Sequence, residues 1–444
     1  MARQQTADLV IIGGGISGTA LLFAAARYST IRRLVLIEKY PGLAQVNSAA
    51  THNSQTLHCG DIETNYTLVK ALAVKRAAGL VANYAMRLAA DEDLLHRYSK
   101  MVLGVGPEEC TRLRARFREF APHYPWLRLF EVSEIARLEP HVVFANGRSR
   151  PEELVACGAE HEHTAANFAA LANSFATHAR LENPDVQIQL NTRGLHVRAS
   201  GHGFEVETNH NTIMAGAVVV SAGGHSLFLA QQMGYGREFS CLPVAGSFYF
   251  TPKRLNGKVY TVQNDKLPFA AIHGDPDLLM GDATRFGPTA LILPELERYH
   301  LASTIDFLRV VRFDTALLAV LTDMFTDADV RRYIIKNMLF ELPGIRRRLF
   351  LRDARKIIPG LNLSELRFAK GFGGLRPQLV DRREKRLLMG EAKIDTGVGV
   401  IFNMTPSPGA TSCLDNAEQD LRIVARHLGE TFDEARFTAE LEAA

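Results

Sequence analysis

Gly13, Gly15 and Gly18 form a Gly-x-Gly-x-x-Gly turn with Ile16 and Ser17 inside it, and the chemistry of such a turn is pyrophosphate binding. Gly13 makes the turn, Gly15 lets backbone approach the phosphates, and Gly18 allows close packing of helix on strand. A Gly-rich turn alone also occurs as plain structure, so the flanks decide. The apolar run Leu9–Ile12 precedes the turn, a helical run Thr19–Tyr28 follows it, and a second apolar run Leu34–Ile37 ends at Glu38 with Lys39 beside it. Strand, turn, helix and strand place the helix N-terminus, Gly15 to Ser17, against the phosphates and Glu38 against ribose hydroxyls. An acid at this position suits the free 2′-hydroxyl of FAD or NAD and disfavours NADP.

Three further stretches have the composition of backbone that passes close to a ligand. The polar segment Gln45–Asn65 has no helical or strand period and is dense in small hydrogen-bonding residues, among them Asn53, Ser54 and Gln55. It reads as an exposed loop or as a loop lying across a cofactor. The apolar strand Ala217–Val220 runs into Ser221-Ala222-Gly223-Gly224 before a helix, which suits close approach. Phe402–Ser412, containing Gly409, Ala410 and Thr411, precedes a helix over Cys413–Leu428, with Ser412 placed as its N-cap. Unpaired amides at that helix start favour negative charge nearby.

The elements that must position these residues fall into an order. Helical periodicity covers Leu68 to about Arg118, broken at Gly104–Pro107, with Pro107 in the first turn of a second helix. A short helix over Val132–Glu139 stops at Pro140, and another starts near Asn167. Strands follow at Val186–Leu190, Leu195–Val197 and Phe204–Glu207. From Cys241 short strands at Gly246–Phe250, Val259–Val262 and Phe269–Ile272 alternate with turns, the texture of an antiparallel sheet. Leu296–Phe340 returns to helices. The basic cluster Arg346–Lys356 reads as a solvated face, with anionic lipid head groups as the alternative partner.

The chain has 444 residues, 47% hydrophobic and 22% charged, as in ordinary globular proteins and too long for one simple core. A net charge of +3 gives no basis for nucleic-acid binding. Cys59, Cys110, Cys157, Cys241 and Cys413 are scattered, which argues against a disulfide framework or a zinc site and for a reducing compartment. Met1–Ala7 lacks the pattern of a signal peptide, and no apolar run approaches the ~20 residues that span a bilayer. The expected location is cytoplasmic.

Longer strings carry a family likeness: Ile11–Gly18, Asn53–His58, Glu63–Thr67, Pro243–Phe250, His273–Pro276, Gly373–Pro377 and Asn403–Ser412. Over nearly its whole length the chain resembles the FAD-dependent malate:quinone oxidoreductases, and more distantly the 2-hydroxyglutarate dehydrogenases and amino-acid oxidases. The resemblance implies a Rossmann-like FAD domain from residues 1–67, 151–236 and 369–444. It also implies an interleaved substrate domain, 68–150 and 237–368, on a mainly antiparallel sheet, an α/β plus α+β architecture. FAD, held without a covalent bond, would lie between them, with Gly409, Ala410 and Thr411 at the pyrimidine end of the flavin. Gly223 and Gly224 would meet the AMP half, and Asn53–His58 would cover the isoalloxazine. Covalent attachment through His52, His58 or Cys59 is the alternative. The implied activity is oxidation of malate to oxaloacetate, a step of the tricarboxylic acid cycle. Electrons would pass to a quinone, by a protein peripheral on the inner face of the cytoplasmic membrane. Oxidation of 2-hydroxyglutarate or another 2-hydroxy acid is the competing reading.

Such chemistry needs a base for the hydroxyl proton and cations for the carboxylates. Arg376, at the position matching a flavin-facing residue of the family, suits a carboxylate through its planar fork, with Arg285 as a second candidate. His273, followed by Gly274-Asp275, is the preferred base, and His58 on the flavin-side loop competes with it. Only one dinucleotide fingerprint is present, so the reductant's electrons need an acceptor other than a second bound nucleotide.

Overall fold

In the computed structural model, which describes residues 5–201, 203–263, 271–311, 314–388, 392–406 and 408–442, the run Leu9–Ile12 lies at the middle of a sheet. Strand β1 (Gln5–Ile12) pairs in parallel with β2 (Leu34–Ile37) on one side and Thr212–Val220 on the other. Gln187–Gln189 extends the sheet beyond β2. Gly203–Thr208, Gly194–Ser200 and the late strand Val400–Met404 extend it beyond Thr212–Val220. Helix α1 (Ile16–Tyr28) crosses between β1 and β2 and is buried on nearly every side, which is why its sequence is apolar all round. It packs against Phe168–Glu182 and Cys413–Leu428, with Phe23 stacked on Phe175 at 5.6 Å and edge-on to Tyr84 at 5.0 Å.

A second large sheet runs Arg367–Phe368, Tyr249–Pro252, Ala283–Gly287, His273–Pro276, Lys258–Thr261, Lys100–Val105, Leu154–Ala159, Arg128–Phe130. Its pairings are antiparallel except Lys258–Thr261 with Lys100–Val105. A smaller sheet pairs Phe239–Ala245 with Leu375–Asp381 on one side and Leu291–Ile292 on the other. The mixed α/β layer and the mainly antiparallel layer are the architecture that the sequence predicts.

Four details differ. The helical pattern from Leu68 to Arg118 holds over Leu68–Asn83 and Pro107–Phe120, but Lys100–Val105 between them is a strand inside the second sheet. Met101, Val102 and Leu103 are buried on both faces, and a short all-apolar run has no period that separates strand from helix. Leu154–Ala159, placed by the sequence with the cofactor segment 151–236, pairs instead with Lys100–Val105. A Cβ at Gly158 would lie 1.9 Å from the Lys100 carbonyl oxygen, so this crossing requires glycine. Ser412 occupies the N-cap position of Cys413–Leu428 without a side-chain cap bond. The strand expected at Phe269–Ile272 is seen at His273–Pro276, and Phe269 and Ala270 lie outside the described residues, as does Ser407.

The basic cluster forms the helix Arg346–Ile357, and part of its charge is held by protein. Arg346 lies over the Phe368 ring, Arg355 donates to the Leu361 carbonyl and Lys356 pairs with Glu109 at 2.5 Å. Among the described residues, no helix is long and apolar enough to cross a membrane.

The tightest point of the first layer is Gly18, where a Cβ would sit 1.9 Å from the Gly13 carbonyl oxygen. Gly18→Ala is expected to destabilise the fold by about 1–3 kcal/mol, the usual cost of overpacking, read from urea unfolding. An unchanged urea midpoint would show that α1 shifts freely on β1.

Candidate active site

The carboxyl ends of β1, β2 and Thr212–Val220 open on a cavity of about 550 Å³. Gly13, at φ +115°, supports its floor, and a Cβ there would meet the Ser221 carbonyl oxygen at 2.4 Å. Gly15, Ile16 and Ser17 line the cavity at the start of α1, where Ser48 accepts a hydrogen bond from the Ile16 amide at 3.0 Å. Glu38, also in the wall, accepts from the Gly14 amide at 2.7 Å and the Tyr40 amide at 2.9 Å. Burial pushes its carboxyl up, and these two amides oppose the shift. Lys39 is held by Glu297 at 2.8 Å, to which Tyr40 also donates, so the far acid of this end comes from residue 297. Gly223, at φ +59°, and Gly224 complete this end.

At the other end the polar loop is fastened across the cavity. Asn47 accepts from the Leu375 amide at 3.0 Å, the Gly373 amide donates to the Thr51 carbonyl at 3.0 Å, and a Cβ at Gly374 would meet the His52 carbonyl oxygen at 2.3 Å. Asn53 ties the loop to itself through the Asn47 and Ala49 carbonyls. Asn53, Ser54, His58, Arg376, Ala410 and Thr411 all line the cavity, and Thr411 accepts from the His58 amide at 3.2 Å. Three expected contacts stand back from it. Gln55 is buried and its amide is used by the Ala50 carbonyl and the Leu278 amide. Gly409 packs on Thr405, and Gly18 lies beneath Gly13.

His58 and Arg376 face the cavity with capacity to react. His58 Nδ1 is 2.6 Å from Glu63 Oε1, leaving Nε2 as the free ring nitrogen. Burial raises the Glu63 carboxyl, but the His58 bond and charge outweigh it and hold it below the ordinary value. The Arg376 guanidinium makes no hydrogen bond or ion pair among the described residues, although burial works against its charge. Its guanidinium stays protonated, so its fork is left for an anion.

His273 and Arg285 are not in the wall. Both are essentially fully buried behind it in a layer of charge that sequence alone did not reveal. Arg285 pairs with Asp277 at 3.2 Å and lies over the Phe248 ring at 4.7 Å. His273 stacks on Tyr260 at 4.3 Å, and burial lowers its basicity. Its Nδ1 lies 2.5 Å from Asp275 Oδ2, at angles outside those of a hydrogen bond. Lys258 is 3.4 Å from Asp275 and donates to Thr56 Oγ1 at 3.1 Å, and Thr56 lines the cavity. Burial alone raises the Asp275 carboxyl, yet His273 and Lys258 outweigh it and bring it to about 2. Lys258 had no sequence signal: it is a lone lysine in a short apolar strand.

Residues 8–414 match the family described as FAD dependent oxidoreductase. The chain is 47% identical to the probable malate:quinone oxidoreductase of Campylobacter jejuni over 99% of each chain. It is 44% identical to the malate:quinone oxidoreductase of Helicobacter pylori over 98% of this chain and 97% of that one. The chain belongs to the malate:quinone oxidoreductase family of FAD-dependent oxidoreductases. Among solved structures, the L-alpha-glycerophosphate oxidase of Mycoplasma pneumoniae with FAD bound shares the fold. Its TM-score is 0.63 at 19% identity, covering 95% of both chains. FAD is therefore the cofactor, and the cavity fits it. A glycine cradle that any Cβ would fill opens at one end, with Glu38 beside it. At the other end stand the small residues Ala410 and Thr411. The Cys59 thiol, pushed up to about 12 by burial, is unsuited to attachment as a thiolate.

The depressed Asp275 carboxyl contributes stability above its ordinary value near pH 4, and that stability is lost as pH falls through about 2. Asp275→Asn is expected to cost about 3–5 kcal/mol at neutral pH, because it leaves Lys258 buried without its acid. The gap to wild type should narrow in urea titrations below about pH 4. A gap independent of pH would mean that Asp275 packs without charge.

Proposed function

We propose that the protein oxidises (S)-malate to oxaloacetate and passes the electrons to a membrane quinone. The observation that carries this is the unpaired Arg376 guanidinium facing the same cavity as the Glu63-held His58, in a chain so similar to relatives named for that reaction. When bound, FAD supplies the two-electron acceptor. Arg376 holds a substrate carboxylate through two parallel N–H bonds and so orients the C2–H bond. His58 Nε2 takes the C2 hydroxyl proton, and Glu63 at Nδ1 stabilises the imidazolium that forms. This moves the base from His273, which is buried behind the wall, to His58. Arg285, fixed by Asp277, acts on the shape of the wall rather than on substrate. The Ala410 and Thr411 backbone, ahead of the helix Cys413–Leu428, favours negative charge at the adjoining end of the cavity. A quinone dissolves in the bilayer, so the protein works at a membrane surface, on its cytoplasmic side.

The test is anaerobic: malate should bleach the flavin absorbance, and 2-hydroxyglutarate should do so far more slowly. Absence of bleaching by malate removes the reading, and faster bleaching by 2-hydroxyglutarate replaces it. Arg376→Lys is expected to raise KM for malate about 10- to 100-fold at normal flavin content, since an ammonium cannot bind bidentately. An unaltered KM removes Arg376 from the site. His58→Ala should slow flavin reduction in stopped flow by about 10²–10⁴, whereas His273→Ala should retain more of the rate. The reverse order would return the base to His273.

A further inference from the structure

The helix Ala328–Leu339 has two apolar sides. Val330 and Ile334 are buried against the body of the protein, as a surface helix requires. On the solvent side Ile335 and Met338 are about half exposed, and the stripe continues past the helix through Leu342 and Ile345. Their exposures run from 42% to 52%, four large apolar residues within eleven positions of chain. Scattered exposed apolar residues mean little, but a continuous run on one side of an element marks a surface that something else covers.

The charge along this stripe points to the cover. Between positions 331 and 348 every exposed charged side chain is a cation, Arg331, Arg332, Lys336, Arg347 and Arg348, with Lys336 paired to Asp353 at 2.5 Å; the exposed acids Asp323 and Asp329 lie on the N-terminal side of the stripe. Glu341, the acid in this interval, is turned inward, its Oε1 accepting from the Thr289 hydroxyl at 3.0 Å. Arginine and lysine stems carry their heads past an apolar surface, so cations interleaved with half-exposed aliphatics suit the boundary between acyl chains and anionic head groups. A second protein with an acidic apolar patch would meet the same charges, but the alternation of long cationic stems with half-exposed aliphatics along the stripe favours lipid.

The neighbouring elements extend it. Leu318 and Phe325 lie seven residues apart on the outer side of the helix Thr315–Thr326, which packs against Ala328–Leu339. Leu301 is 79% exposed, beside Tyr299. The Tyr299 hydroxyl donates to the Phe372 carbonyl at 2.9 Å, and its ring lies 6.2 Å from that of His52, which lines the cavity. Arg298, next to Tyr299, lies 3.8 Å from Glu341, so this segment adjoins both the stretch that carries Leu342 and Ile345 and the rim of the cavity where the polar loop meets Gly374.

We propose that the face formed by Ile335, Met338, Leu342 and Ile345 with their interleaved cations docks the protein on an anionic lipid bilayer, on the side from which a bilayer-dissolved acceptor approaches the cavity. The purpose of the face rests on the quinone-reducing reading; its existence rests on the exposed residues. The test uses the flavin-loaded full chain and quinone-free vesicles, of phosphatidylcholine alone or mixed with phosphatidylglycerol. Wild type should sediment with the mixed vesicles about tenfold more tightly than with phosphatidylcholine alone. Met338→Glu with Leu342→Glu should weaken this binding by about tenfold or more, and Arg332→Glu with Arg348→Glu should abolish the preference for anionic lipid. All variants should keep flavin content and malate turnover with a soluble dye. A wild type that ignores vesicles, or a Met338→Glu and Leu342→Glu variant that binds like wild type, overturns the proposal. So does a wild-type dimer that this double variant turns monomeric without any lipid binding, which would assign the face to a second copy. Vesicle binding with no malate-dependent dye reduction supports the face while removing the functional reading.

Discussion

The structure depends on how far the three central parallel strands stay bonded before they open. The Ser221 amide donates to the Ile12 carbonyl at 2.8 Å and the Gly13 amide to the Ile37 carbonyl at 2.9 Å, so the ladder closes right up to the turn. No side chain fits at Gly13, because Ser221 backbone already occupies the space. The turn and the start of α1 are thereby fixed against the end of Thr212–Val220, and the amides at that helix start face one end of the cavity. Everything else in the site is built outward from this contact.

The second constraint is a loop without regular structure that is nonetheless rigidly placed. Asn47, Thr51 and His52 use backbone and one side-chain amide to grip the Gly373–Leu375 turn, and Gln55 pins the same loop to Leu278 from behind. Backbone groups that a loop leaves unpaired must find partners when buried. Here those partners come from the strand that carries Arg376, so the loop bearing His58 and the strand bearing Arg376 are held in one register. Their mutual geometry is a consequence of fold bonding rather than of any contact between the two side chains.

Behind them lies the charge layer of Lys258, Asp275, His273, Asp277 and Arg285. Burying five ionisable groups is costly unless each finds an opposite, and the pairs at 3.4, 2.5 and 3.2 Å supply those opposites. Lys258 carries the layer forward to Thr56 at the cavity wall. His273 and Arg285 have the residue types of a site but lie buried behind the wall, whereas Arg376 and His58 line the cavity itself.

The fingerprint Gly13–Gly18, its flanking strands, Glu38 and the helix Cys413–Leu428 were legible in the sequence, because local period and turn chemistry determine them. So was the cofactor, since the family strings lie at the turns that approach it. Lys100–Val105 was not legible, because a run buried on both faces carries no period. Nor was the placement of the two histidines and two arginines, because sequence shows which groups can ionise and not which are already paired. Only tertiary packing decided that: it brought Glu63 to His58 and Asp277 to Arg285, and left the Arg376 guanidinium with the cavity before it.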